Sequence, residues 1–276
     1  MATSRAAILR QLSSRLLAEL RKVRKDPGDV EAIHDARVAA RRLLAGGELW
    51  AHGARGWFSL RARLPKLVRR LGRVRNFDVS LELLAEGPAS DRAARAALAK
   101  ALRGRRKRRR AKLGDWLSAG RLKRLKKKLD DVLQATRRRP LVATPGPSDL
   151  APYFARIASL SAGEDWMSDV EIAHEIRREV RRLRYGHESL AWAYSPSDLE
   201  RAARALRAVQ EAAGAWQDRQ VLARLAAKAV RKGKIKEPLT PLLGRVERES
   251  KDLARRFALA LQQLMELRPR MLGEPR

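Results

Sequence analysis

Apolar residues recur at intervals of three and four along almost all of this 276-residue chain, and no stretch alternates apolar and polar residues as a half-buried strand must. That periodicity restricts the fold to an all-α architecture. The abundance of Ala, Leu, Arg, Lys and Glu agrees, since these side chains lose little freedom in a helix. Start signals fall between the periodic stretches. Asp26-Pro27 precedes one helix, Ser168-Asp169-Val170-Glu171 has the form of a capping box, and Ser195-Pro196-Ser197-Asp198 opens a further helix that Gly214 is expected to interrupt or end. The pattern predicts roughly ten helices joined by short turns.

One stretch breaks the pattern. "RRRPLVATPGPSDLAP", from Arg137 to Pro152, holds four prolines and a glycine, and proline removes the amide that a helix interior needs. Residues 140–152 are therefore read as a linker within a single domain, joining an N-terminal half, 1–139, to a C-terminal half, 153–276. The halves repeat each other. "VEAIHDARVAARRLL" from Val30 aligns with "VEIAHEIRREVRRLRY" from Val170, so that His34, Arg37, Arg41 and Arg42 match His174, Arg177, Arg181 and Arg182. "LGRVRNFDV" from Leu71 then aligns with "AGAWQDRQV" from Ala213, and His34 precedes Gly72 by 38 residues where His174 precedes Gly214 by 40. Two matches in one order at nearly one separation imply an internal duplication, and hence two similar helical bundles related by a pseudo-twofold axis.

At about 100° per residue, offsets of three and seven return to within about 60° of the starting direction. His34, Arg37 and Arg41 thus form one ridge flanked by Arg42, and His174, Arg177 and Arg181 form its counterpart, which Tyr185 extends and Arg178, Arg182 and Arg184 widen. Each is a cationic strip. Arginine's planar fork of donors suits phosphate oxygens and never deprotonates, and a histidine at the head of the strip can donate one more hydrogen bond, its protonated form favoured by a nearby anion. In the second matched segment Arg73 and Arg75 are candidate phosphate contacts, while Asp78 and Asp218 are expected to cap a helix or to hold the arginines through ion pairs.

The charge balance points the same way. With 62 Lys and Arg against 31 Asp and Glu, the net charge is +31, a self-repulsion that a polyanionic partner would relieve. There is no cysteine, which excludes disulfides and thiolate chemistry and makes the cytoplasm the simplest address. The N-terminus reads as an amphipathic first helix: Arg5, Arg10 and Arg15 interrupt its apolar residues, unlike a secretory signal, and Glu19 argues against a mitochondrial presequence. No run approaches the ~20 apolar residues of a bilayer span, so no membrane partner is expected.

The segments "IHDARVAARRL", "LGRVRNFDV", "AHEIRREVRRLRY" and "VQEAAGAWQDRQVL" together resemble the CHAD family, the histidine α-helical domains that bind inorganic polyphosphate, and in order they span nearly the whole chain. The resemblance implies two pseudo-symmetric four-helix bundles with basic residues lining a central groove or pore. It implies His34, Arg37, Arg41 and Arg42, and His174, Arg177, Arg181, Arg182 and Arg184, as ligand contacts, with Arg178 beside them and Arg73, Arg75 and Arg207 as further members. The chain departs from the family's usual Arg-Asp at Arg75-Asn76 and has Ala213 before the second glycine, and Leu44 stands where the second copy has Arg184, so the two half-sites are expected to differ. The expected function is non-catalytic polyphosphate binding without cofactor or metal, in the cytoplasm and on polyphosphate granules where these form.

Other motifs compete less well. "ERESK" at Glu247 to Lys251 has the Glu-x-Glu-x-Lys spacing of triphosphate tunnel enzymes, but on a helix its two glutamates diverge by about 200°. His34-Asp35 lacks further metal ligands, since His52 and His187 do not obviously join it, and no Gly-x-x-x-x-Gly-Lys loop occurs. The serious rival is nucleic-acid binding. "RGRRKRRRAKLGDW" from Arg103 and "RLKRLKKKLDD" from Arg121 suit any phosphate backbone, although only 5% of residues are aromatic and no base-reading module is evident. A basic surface for anionic lipid ranks last.

Overall fold

The computed structural model describes residues 5–138, 144–163, 166–235 and 237–274. Among the described residues there are ten α-helices and no strand. They are α1 (Arg5–Lys25), α2 (Val30–Trp50), α3 (Trp57–Ala85), α4 (Arg92–Trp116), α5 (Ala119–Arg138), α6 (Ala151–Leu160), α7 (Val170–Ser189), α8 (Pro196–Val230), α9 (Thr240–Glu266) and α10 (Arg268–Leu272). Among the described residues no helix is long and apolar enough to cross a membrane.

Helix starts follow capping chemistry, with two shifts from the sequence reading. The cap of α2 is Asp29, whose side chain accepts from the Ala32 amide at 2.9 Å, while Asp26 holds the preceding turn by accepting from the Gly28 amide at 2.7 Å. On α7 the cap is Asp169 rather than Ser168, accepting from the amides of Glu171 at 2.8 Å and Ile172 at 3.1 Å. Ser195 caps α8 as read, but Gly214 does not end it: the helix continues to Val230, 35 residues in all. A helix-interior glycine costs only about 1 kcal/mol relative to alanine, which the packing of a long helix can carry. At the proline-rich joint, α5 continues to Arg138, and a short 3-10 turn over Pro147–Leu150 leads into α6. Pro152 stands at the second position of α6, where a missing amide leaves no helical bond unmade. The remaining joint residues 139–143 lie outside the described residues.

The chain divides into two compact units. One comprises 1–75, 109–151 and 182–194; the other comprises 76–108, 152–181 and 195–276. The division falls inside α3, α4 and α7, so each of these helices contributes to both units.

In the first unit α1 packs against α2 and α5. Its buried residues Leu9, Leu16, Leu20 and Val23 keep the three-and-four spacing that made it read as amphipathic. The buried carboxylate of Glu19 is paired with Arg15 and Lys22, each at 3.0 Å. Gly47 marks the closest approach: a Cβ there would stand 1.9 Å from the Trp57 ring, so only glycine lets α2 pass. The end of α7 supplies buried Tyr185 and His187, and Leu190 just beyond it, to the same unit.

His187 gives this unit a pH-dependent weakness. Its ring lies 4.5 Å from that of Tyr194, and burial lowers its pKa to about 4 against a smaller opposing influence of Glu188. A folded-state pKa below the unfolded value means that the unfolded chain binds the extra proton, so stability falls as pH drops through 6.5 and stops falling below about 4. The expected loss over that window is about 3 kcal/mol. His187→Leu should flatten it, which denaturant titrations of parent and variant from pH 7 to pH 4 would show.

The second unit joins Phe77 and Leu84 of α3, Leu98 and Leu102 of α4, Leu222 of α8 and Val246 of α9 in one apolar cluster. Beside it runs a chain of charges. Arg95 donates to Asp91 at 2.6 Å and to the carbonyls of Leu84, Ala85, Gly87 and Pro88, closing the C-terminal end of α3. Asp91 also accepts from Arg245 of α9 at 2.8 Å, and Glu249 bridges Arg245 at 2.7 Å and Arg219 of α8 at 3.0 Å. Burial alone would raise the Asp91 carboxyl, but its hydrogen bonds to Arg245 and Arg95 outweigh this and hold it below the ordinary carboxylate range.

Candidate functional site

His34 is exposed on α2 in the first unit, and cations from two helices converge on it. Partial burial and the charges of Arg75, Arg37 and Arg41 lower its pKa, while Asp35 opposes them. Arg75 comes from α3, Arg37 and Arg41 from α2 itself. Gly72 of α3 lies against Arg37, a Cβ placed on it standing 3.4 Å from the Arg37 Nε.

Arg41 and Arg42 lead away from His34 toward Tyr185. Burial lowers the pKa of Arg41, offset by the charge of the Tyr185 oxygen and a hydrogen bond to it. The guanidiniums of Arg42 and Arg184 lie over the same ring, 5.9 and 5.7 Å from its centre. Glu188 fastens them, accepting from Arg42 at 3.1 Å and from Arg184 at 2.8 Å. Glu188 was not foreseen from the sequence, although its spacing of four from Arg184 was a usable signal. Arg182 is exposed on the α7 segment that belongs to this unit.

In the second unit His174 lies half-buried on α7. Its Nδ1 hydrogen-bonds Oε1 of Gln217 on α8 at 2.8 Å. Burial lowers its pKa, the Gln217 bond opposes this, and the charges of Arg177, Arg178 and Arg181 lower it further. Gly214 again faces the arginine three residues after the histidine, a Cβ there standing 4.0 Å from Nη2 of Arg177. In the alignment of the two segments Arg75 stands opposite Gln217, and where Arg75 adds a charge beside His34, Gln217 offers His174 an amide. Arg178 is exposed and lies 3.7 Å from Glu175, which also pairs with Arg156. Arg207 is exposed on α8, seven residues before Gly214 and therefore on the same face about two turns away.

Other sequence-selected residues fall elsewhere. Arg73 follows Gly72 on α3 and leaves the helix about 200° from Arg75, so it lines a separate groove with Arg70 and Arg121. Neither Asp78 nor Asp218 caps a helix, since both lie inside continuous ones, and Asp78 is buried and paired at 3.5 Å with Arg106 of the basic tract. Arg105 of that tract covers Phe77, whereas Arg103, Lys107, Arg108 and Arg109 are exposed. Glu247 and Glu249 diverge on α9: Glu247 pairs with Lys251 at 2.9 Å, and Glu249 joins the charge chain of Asp91.

The CHAD domain model matches residues 7–227, well over half of the sequence. The chain belongs to the CHAD domain family. CHAD domains are associated with polyphosphate binding or with triphosphate tunnel-like proteins. The fold of this CHAD chain is similar to that of the CHAD domain from the plant Ricinus communis, with a TM-score of 0.67 and 20% identity over 98% of this chain and 91% of that one. It is also similar to PptA from Streptomyces chartreusis, with a TM-score of 0.66 and 20% identity over 94% of this chain and 98% of that one. No curated protein matches the chain.

Proposed function

We propose that this CHAD domain binds inorganic polyphosphate without catalysing its turnover, holding it on the strip of His34, Arg37, Arg41 and Arg75 and on that of His174, Arg177, Arg178 and Arg181. One observation carries the reading: in each unit three arginines gather within electrostatic reach of one histidine, whose pKa burial and these charges together lower. Cations crowded in this way repel one another, and a ligand with a charge at every repeating unit converts the repulsion into binding. The guanidiniums act as forked donors, and the imidazoles donate once protonated.

Competition tests this reading directly. Labelled long-chain polyphosphate is displaced at about 150 mM salt by unlabelled polyphosphate, duplex DNA and RNA at equal phosphate concentration, a salt level at which loose electrostatic binding is already weakened. Polyphosphate should compete far better than either nucleic acid. Equal competition would make the protein a general polyanion binder, with the tracts from Arg103 to Lys128 as its main surface.

Binding should also take up protons. Both histidines have pKa values lowered by burial and neighbouring cations, and a bound phosphate raises them again. Affinity should therefore rise as pH falls from 8 to 6, and calorimetry in two buffers of different ionisation enthalpy should register the uptake. His34→Gln with His174→Gln should abolish it.

A further inference from the structure

The first unit carries a second cationic feature, a groove of about 670 Å³ between α3 and α5. One wall is α3, with Arg63, Lys66, Arg69, Arg70 and Arg73; the other is α5, with Arg121, Arg124 and Lys128. No acidic side chain lines it. Its floor is apolar: half-buried Leu122 and Leu125 present the accessible surface, backed by the fully buried Leu64, Leu67 and Leu117. Trp116 stands at one end with the guanidiniums of Arg70 and Arg121 over its ring, 4.7 and 4.9 Å from the centre.

A leucine floor between two rows of cations asks for a ligand with an apolar stripe between two rows of anions. Bare polyphosphate has no use for the floor. A nucleobase would seek an aromatic face, and the groove's aromatic ring is already covered by two guanidiniums. A bilayer surface is flat, whereas these leucines are recessed. An acidic amphipathic helix meets every demand, placing apolar anchors in the floor and carboxylates against both walls. The lengths agree: from Arg63 to Arg73 the α3 wall spans ten residues, about 15 Å of helix, room for roughly three turns of a partner.

We propose that this groove docks an acidic amphipathic helix of a partner protein, at a site separate from the histidine strips. The probe is a dye-labelled peptide of about fourteen residues, with leucines at helical i, i+3, i+4, i+7 spacing and glutamates elsewhere. It is titrated into the full chain at about 150 mM salt, beside a scrambled peptide of the same composition, polyglutamate and a single-stranded DNA of equal charge. The amphipathic peptide should bind at least about tenfold more tightly than the other three, and Leu122→Gln with Leu125→Gln should remove that advantage. This variant changes no charge, so its polyphosphate affinity should stay at the parent value. Circular dichroism at the parent's helicity and a cooperative thermal transition show the variant to be folded. Should the variant not fold, amide exchange on the parent decides: the peptide should slow exchange over 63–73 and 117–128. Equal binding of the scrambled peptide, an unchanged affinity in the folded variant, protection elsewhere, or tighter binding of the DNA would each overturn the proposal.

Discussion

Arg37→Ala combined with Arg177→Ala should lower polyphosphate affinity by about a hundredfold or more at physiological salt. Each guanidinium that loses a charge-assisted bond to phosphate forfeits about 1.5–3 kcal/mol, and two positions in different units should lose independently. These two arginines are chosen because each lies three residues after its histidine and lowers that histidine's pKa alongside burial. Arg41 would be a poorer probe. Its burial and its bond to Tyr185 mean that removing it also disturbs the first unit. The matched control is Arg103→Ala with Arg108→Ala, two exposed residues of α4 whose loss removes the same charge. The control should shift affinity only a few-fold. Equal effects of the two pairs, at unchanged helicity, would remove the strips from the site.

Asp91→Ala should destabilise the second unit by about 3–5 kcal/mol, because it leaves two inward-facing guanidiniums without the buried carboxylate that joins them. Arg95 and Arg245 have side chains only 11% and 19% exposed, so water cannot easily replace Asp91. The end of α3 is also affected, since Arg95 closes it on the Leu84 and Ala85 carbonyls and would lose its anchor. A drop in Tm of roughly 10 °C is the expected reading. The pH dependence carries a second signature. A carboxyl held below its unfolded pKa stabilises the fold above that pKa and loses its contribution as pH falls through the folded value, so the deficit of the variant should shrink in acid. A deficit under 1 kcal/mol at pH 7 would show that Arg95 and Arg245 are satisfied by other groups.

Much of this architecture could be read from residue order. Helical periodicity is a local property, and it located the helices; of the His-x-x-Arg-x-x-x-Arg-Arg segments, Arg37 and Arg41 lie near His34 and Arg177 and Arg181 near His174, whereas Arg42 turns to Tyr185 and Glu188. Pairings made at a distance were not legible. Residue order does not say that Glu188 also takes Arg42 from α2, that Gln217 reaches back to His174, or that Asp91 collects arginines from α4 and α9. Arg73 and Arg75 show the limit in miniature. They are two residues apart in one motif, yet helical rotation gives one to the histidine and the other to the leucine-floored groove.

The proline-rich joint between α5 and α6 looks like the natural place to cut this protein in two, but the helices do not divide there. The first unit takes its last segment, 182–194, from beyond the joint, and with it the buried Tyr185, His187 and Leu190. The second unit takes 76–108 from before the joint, and with it Phe77, Leu84, Leu98 and Leu102. A gene fragment ending at residue 139 would therefore encode neither unit in full, nor would one beginning at residue 153. Each product would be an incomplete body waiting for the other. Engineering either histidine strip in isolation would require splicing three separate segments into one chain rather than a truncation.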